Sequence, residues 1–377
     1  MIPLSRPSLG RDEARAASRA ILAGDVVGRG TLGLELERRI AQDTGAKHAL
    51  LTTSGTHALE LALAALGVGR GDEVVVPSFT FSSVANCVLR QGARPVFADV
   101  LEQTLNLDPR DVARRLTKRT KAVIAVHYAG VATDMRGLAA ATRGRGIAVI
   151  EDAAHAVGAS YLGRHLGTIG AAGCFSFHAT KNITCGEGGA LLTNGAATAH
   201  KAELFREKGT NRSAFIRGEV KKYTWVSEGS SYVLSDILTA VLAEQWKKRL
   251  AINKRRGVIY HRYIESFRDL EAQGRLLLPE IPAGCVSSYH LFHVLLPSLK
   301  ARLKCTQRLR DRGIGATFHY QPLHASPFAR KTLGCRERLP VSERAGDCLL
   351  RLPLYPELTP KQVDFVAAEF RAAVLAL

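Results

Sequence analysis

Residues 121–152 read KAVIAVHYAGVATDMRGLAAATRGRGIAVIED. The run KAVIAVHY is apolar without polar alternation, as expected of a strand buried on both faces. MRGLAAATR then carries a helical pattern, and IAVIED is a second buried strand ending in two carboxylates. Strand-helix alternation of this kind predicts a mostly parallel sheet with helices on both sides. The same alternation extends outward. AKHALL leads into HALELALAAL, DEVVVP into SVANCVLRQ, and RPVFADV into PRDVARRL, where Asp108 caps a helix with Pro109 at its first position. CFSFH and GGALLTN add two shorter strands. The expected fold class is α/β, a mostly parallel central sheet with helices on both faces.

After Ser235 the pattern changes. Residues 235–267 form one long stretch with apolar residues at helical spacing, a connecting helix. HLFHVLLP, GATFHYQPLH and VDFVAAEFRAAVLAL then mix strand and helix patterns, the mark of a smaller α+β domain. The expected division is residues 1–245 for the large domain and 246–377 for the small one.

The 377 residues are 46% hydrophobic and 23% charged, the balance of a globular enzyme rather than a disordered or coiled-coil chain. No run approaches 18 uncharged apolar residues, so no membrane partner is expected. The N-terminal stretch bears Arg6, Arg11 and Arg15 without an adjoining apolar run, unlike a secretory signal. Seven cysteines without a C-x-x-C argue against a disulfide framework or a metal site and suit a reducing cytoplasm. The formal net charge of +18 admits a nucleic-acid binder. The basic residues are dispersed, however, and no helix-turn-helix or zinc-finger pattern appears. An anionic small-molecule substrate is the expected partner, and no nucleic acid.

Four local features carry chemistry. Thr53-Ser54-Gly55-Thr56 lies between a strand and a helix, where backbone N–H groups can cradle a phosphate or merely cap the helix. Asp152, at the carboxyl end of IAVIED, could hold a protonated ring nitrogen or cap a helix. Lys181 follows the apolar strand CFSFH, where burial depresses a lysine pKa and frees the amine for imine chemistry. Ser176, five residues earlier, could add a phosphate contact. Gly186, Gly188 and Gly189 allow a tight turn just beyond.

In this order the features resemble fold-type I pyridoxal-phosphate enzymes, and the chain is similar to the DegT/DnrJ/EryC1/StrS family of nucleotide-sugar aminotransferases. The segments carrying the resemblance include LLTTSGTHALELA, GDEVVVPSFTFSSVAN, IEDAAHAVGA, GTIGAAGCFSFHATKNITCGEGGAL, FHYQPLH and RLPLYPELT. The resemblance implies pyridoxal 5'-phosphate as cofactor, Lys181 as the imine-forming lysine and Asp152 as partner of the ring nitrogen. It implies Phe81 as the aromatic over the ring, and Ser54, Gly55, Thr56 and Ser176 around the phosphate. His155 stands where relatives have Gln or His near the ring hydroxyl. Relatives supply an Asn in G-x-N-Y-R from a neighbouring subunit. Here the segment is Gly229-Ser230-Ser231-Tyr232-Val233, with Ser231 in place of the Asn and Val233 in place of the Arg. A homodimer with shared sites is implied.

Residues 206–232 are similar to the branch converting TDP-4-keto-6-deoxy-D-glucose to TDP-4-amino-4,6-dideoxy-D-galactose, with L-glutamate as donor. Arg212, Lys221, Lys222, Tyr320 and His324 are the candidate substrate contacts. The alternatives are a 3-keto-sugar aminotransferase and a non-catalytic nucleic-acid-binding regulator. A dehydratase of the same fold would carry His at position 181.

Overall fold

Val74, Val75 and Val76 show why the strand runs are uninterrupted. Val74 and Val76 pack with Leu59, Leu63 and Val88 on one face, while Val75 packs with Met135 and Leu138 on the other. Both faces are covered by helices, so no position is left for a polar residue. The computed structural model describes residues 1–377.

Seven strands form the central sheet: β1 (His48–Thr52), β2 (Glu73–Pro77), β3 (Arg94–Ala98), β4 (Thr120–Val126), β5 (Ala148–Asp152), β6 (Ala172–Ser176) and β7 (Gly189–Thr193). Their order is β1-β7-β6-β5-β4-β2-β3. Only β7 runs antiparallel to its neighbours. The register pairs Val126 with Asp152 and Asp152 with Cys174, so the carboxyl ends of β4, β5 and β6 finish side by side. This is the edge of an open α/β sheet where ligands bind.

Helices α1 (Arg11–Ala23) and α2 (Thr31–Thr44) precede the sheet, and α3 (Gly55–Ala65) and α4 (Ser83–Arg90) follow β1 and β2. The long helix runs Asp236–Ala272, with the Ser235 hydroxyl accepting from Leu238 N. Its apolar side joins the large-domain core through Leu242, Trp246 and Ile252, then the C-terminal core through Ile259, Tyr263 and Phe267. Residue 245 lies within this helix. The C-terminal core is closed by the antiparallel pair Phe292–Leu295 and Leu349–Leu352 and by the helices Leu299–Asp311 and Pro360–Leu375. Ile2 joins it too, with its N–H donating to Gly313 O.

Candidate active site

Glu151 and Asp152 are adjacent in β5, and the pleat sends them to opposite faces. Glu151 is consumed by structure. It accepts from the N–H groups of Gly167 (2.8 Å), Ile169 (2.6 Å) and Gly170 (2.7 Å) and lies 2.9 Å from His127 Nε2. Asp152 opens instead into a cleft of ≈ 610 Å³ between the two cores. Its Oδ1 accepts from Ala154 N at 3.0 Å. Burial pushes its carboxyl pKa up, opposed by the Ala154 N–H and by the charge of Lys181.

Lys181 lies in the same wall of the cleft, five residues past β6. It is reachable from the cleft and surrounded by protein elsewhere. Burial pulls its ammonium down to about 8, with Asp152 pulling the other way and Arg351 adding repulsion. A tenth or so of the amine is therefore neutral near pH 7, far more than in a solvated lysine.

The turn after β1 also lines the cleft. Ser54 caps α3, its hydroxyl accepting from His57 N at 3.0 Å, a bond that does not use the hydroxyl's own hydrogen. The N–H groups of Gly55 and Thr56 stand in the first turn, where no helix carbonyl reaches them. A Cβ at Gly55 would sit 2.7 Å from Ser176 Cβ, so only glycine lets this turn approach β6 so closely. Gly189 is confined in the same way, since a Cβ there would run into the Ser54 carbonyl. Thr56 Oγ1 donates to Ser83 Oγ at 3.0 Å. Phe81 is 58% exposed at the rim and offers a flat apolar face.

The cleft thus brings together Ser54, Gly55, Thr56, Phe81, Asp152, His155, Ser176, Lys181 and Tyr320. Arg212, Lys221, Lys222 and Ser231 do not line it. They are exposed on the segment after Arg206, held by backbone bridges such as Glu207 with Ser231. His324 does not line it either. Its ring is buried between Ser78 Oγ (2.6 Å) and Glu343 Oε1 (3.3 Å), so its hydrogen-bonding capacity is spent inside the fold.

The sequence reading passed over His290, His319 and Arg351. His290 stacks on His155 with centroids 4.0 Å apart, and its Nδ1 lies 2.9 Å from Asn182 Oδ1. Asn182 in turn donates to Asn253 Oδ1 and Ser288 O, tying the residue beside Lys181 to the long helix. His319 Nδ1 lies 3.1 Å from Tyr128 Oη. Burial lowers the pKa of His155, His290 and His319 alike, so these rings are neutral. The signal for Arg351 was a charged residue inside the apolar run LLRLPL.

A model of the DegT/DnrJ/EryC1/StrS aminotransferase family matches residues 8–371. The chain belongs to that family. Among solved structures, the aminotransferase TlmJ from Streptoalloteichus hindustanus is 34% identical at a TM-score of 0.91, covering 100% of this chain and 99% of that one. A putative sugar aminotransferase, Spr1654 from Streptococcus pneumoniae, is 27% identical at a TM-score of 0.92 in its pyridoxamine-phosphate form, over 100% of both chains. PseC from Helicobacter pylori, an aminotransferase involved in pseudoaminic acid biosynthesis, is 25% identical at 0.92 over 100% of both. The protein is a pyridoxal-phosphate-dependent sugar aminotransferase of fold type I. Its cleft fits that cofactor: His155 Nδ1 is buried without a partner, and the glycine at 55 keeps clear a spot beside Ser176 that any Cβ would fill.

Proposed function

We propose that the protein transfers the amino group of L-glutamate to the keto carbon of TDP-4-keto-6-deoxy-D-glucose, giving TDP-4-amino-4,6-dideoxy-D-galactose. The observation that carries the transaminase chemistry is the depressed Lys181 amine facing Asp152 in one cleft. The likeness of residues 206–232 to one branch of the family supports the choice of sugar.

Bound pyridoxal phosphate supplies a carbonyl that accepts the amino group and a ring that accepts the electrons of a broken C–H bond. Lys181 Nζ would be the group that holds the cofactor through its carbonyl carbon. With the cofactor bound, the Lys181 amine would take a proton from the donor α-carbon as general base and would deliver it, as general acid, to the carbon that had carried the cofactor's carbonyl. The Asp152 carboxylate would hold a proton on the ring nitrogen, and the unpartnered His155 Nδ1 would be available to the ring hydroxyl. Phe81 would cover one ring face. The Gly55 and Thr56 N–H groups with the Ser54, Thr56 and Ser176 hydroxyls would hold the phosphate. The same residues run the reverse sequence with the keto-sugar. Tyr320, at the cleft wall, contacts the sugar.

Ser231 reaches the phosphate from a second copy of the chain, in a homodimer, and Arg212, Lys221 and Lys222 travel with it toward that copy's substrate. The exposure of Leu22 (84%), Val27 (73%) and Trp225 (76%) supports surfaces that a second copy covers. Incubation with L-glutamate and TDP-4-keto-6-deoxy-D-glucose, followed by mass and NMR analysis, tests the reading. An aminated sugar with axial nitrogen at C4 is expected. Amination at C3, or none, would overturn the assignment.

A further inference from the structure

Residues 317–324 cross from the C-terminal core to the large domain and carry His319 and Tyr320 into the cleft on the way. The crossing is tied at both ends. Thr317 O accepts from the backbone N of residue 351 at 2.8 Å, in the strand Leu349–Leu352. At the far end Leu323 N donates to Ser78 O at 2.9 Å. The His324 N–H donates to Ser78 Oγ at 3.3 Å, and the same hydroxyl lies 2.6 Å from His324 Nδ1. One serine therefore holds two successive residues of the crossing, through its backbone and its side chain.

The His324 ring is held on its other side too. Its Nε2 lies 3.3 Å from Glu343 Oε1, and Glu343 is ion-paired with Arg338. A carboxylate only accepts, so Nε2 carries the ring hydrogen and Nδ1 takes that of the Ser78 hydroxyl. Ser78 follows β2, and Glu343 belongs to the helix Pro340–Cys348 of the C-terminal part, so the imidazole bridges the two. That helix is docked beside it. Pro77 and Ala98 are paired in the register, which puts Ser78 and Asp99 next to each other past the ends of β2 and β3. Asp99 accepts from the N–H groups of Val341 (3.1 Å) and Ser342 (2.8 Å).

Serine, histidine and carboxylate in contact also make up a hydrolytic triad. Ser78 is fully buried and stands outside the cleft, so no substrate carbonyl reaches its hydroxyl. What the latch does reach is Tyr320, four residues before His324. The Tyr320 ring centroid lies 5.7 Å from that of Phe79 and 6.3 Å from that of Phe81, one and three residues beyond Ser78. The latch thus sets where Tyr320 stands relative to Phe81, and both line the cleft. We propose that His324 is a positioning residue for the keto-sugar, its bond to Ser78 holding Tyr320 in place beside Phe81 to receive that substrate. This rests on the reading above, in which Tyr320 contacts the sugar. The glutamate half of the reaction relies on Lys181 and Asp152, which belong to β5 and the turn after β6 and make no bond to the latch.

The test compares three holoenzyme variants with wild type. Ser78→Ala and His324→Leu break the bond between hydroxyl and ring from its two sides, so either one reads the effect if the other does not fold. His324→Asn keeps an oxygen in the place of Nδ1 to accept from Ser78. When an arm leaves its place, apparent affinity falls by the fraction of molecules in which it stays. One neutral hydrogen bond limits that loss to about tenfold. Ser78→Ala and His324→Leu should lower kcat/KM for TDP-4-keto-6-deoxy-D-glucose about three- to tenfold and leave kcat/KM for L-glutamate within about twofold. Deuterium exchange over residues 317–324 should rise in both, and His324→Asn should stay nearer to wild type in every measurement. An unchanged sugar kcat/KM overturns the proposal even if Tm falls, because the latch would then be structural only. A loss shared by glutamate overturns it too, as general damage to the cleft, and so does unchanged exchange over residues 317–324. A wild type that reacts with glutamate but not with the keto-sugar would refute the sugar assignment alone, and the exchange measurement then decides the latch.

Discussion

The amine of Lys181 should be reactive before any cofactor is bound, and the structure gives the size of the effect. At about 8, roughly one amine in ten is neutral at pH 7; at the ordinary 10.5 it would be about one in three thousand. The ratio is about 300-fold in favour of Lys181. Only the neutral amine is a nucleophile, so competitive labelling of the cofactor-free protein with trace acetic anhydride reads the ratio directly. Peptide mapping against pH should give Lys181 a midpoint near 8. The sign is also fixed. Burial disfavours the charged form and lowers the midpoint, whereas Asp152 favours it and raises the midpoint. Asp152→Asn should therefore move the midpoint further down and increase labelling at pH 7. A wild-type midpoint at 10 or above would refute the burial argument. An upward shift in Asp152→Asn would refute the coupling between the two groups.

Lys181→Ala should abolish transamination, and borohydride reduction of the loaded wild type should attach cofactor to Lys181 and to no other lysine in a peptide map. Asp152→Asn should stay folded by thermal unfolding yet lose at least about tenfold in kcat, because a charge-assisted hydrogen bond contributes about 1.5–3 kcal/mol; near-normal turnover would reduce Asp152 to a structural role. Gly55→Ala places a Cβ 2.7 Å from Ser176 Cβ and should cost about 1–3 kcal/mol of stability, with cofactor affinity falling together with Tm in an absorbance titration. Lys181→Ala and Ser231→Glu chains, each inactive alone, should recover close to half of wild-type activity per heterodimer after tandem-tag purification; a verified heterodimer without activity excludes a shared site.

The sheet was legible in the sequence because its strands are buried on both faces. Val74–Val76 and Ala122–Val126 have no polar alternation to confuse the reading, and the long helix announces itself by period over more than thirty residues. Lys181, Asp152 and the Ser54-Gly55-Thr56 turn were legible for a related reason. Each lies at the end of a strand or within five residues of it, and strand ends of a parallel sheet share one edge. Local sequence therefore determined what stands at that edge. It could not determine what crosses to it. Arg351 comes from a strand of the other core, His290 from just before the strand Phe292–Leu295, and His319 from a loop 191 residues beyond its partner Tyr128. The same limit applies to His324, whose motif suggested a contact but whose ring is spent on Ser78 and Glu343. Which of two neighbouring carboxylates opens into the cleft was also decided in three dimensions. Glu151 meets three N–H groups of a turn sixteen to nineteen residues later, and Asp152 meets the space that they leave. Backbone periodicity is a short-range property and can be read along the chain; desolvation and pairing depend on what the folded chain packs around a group.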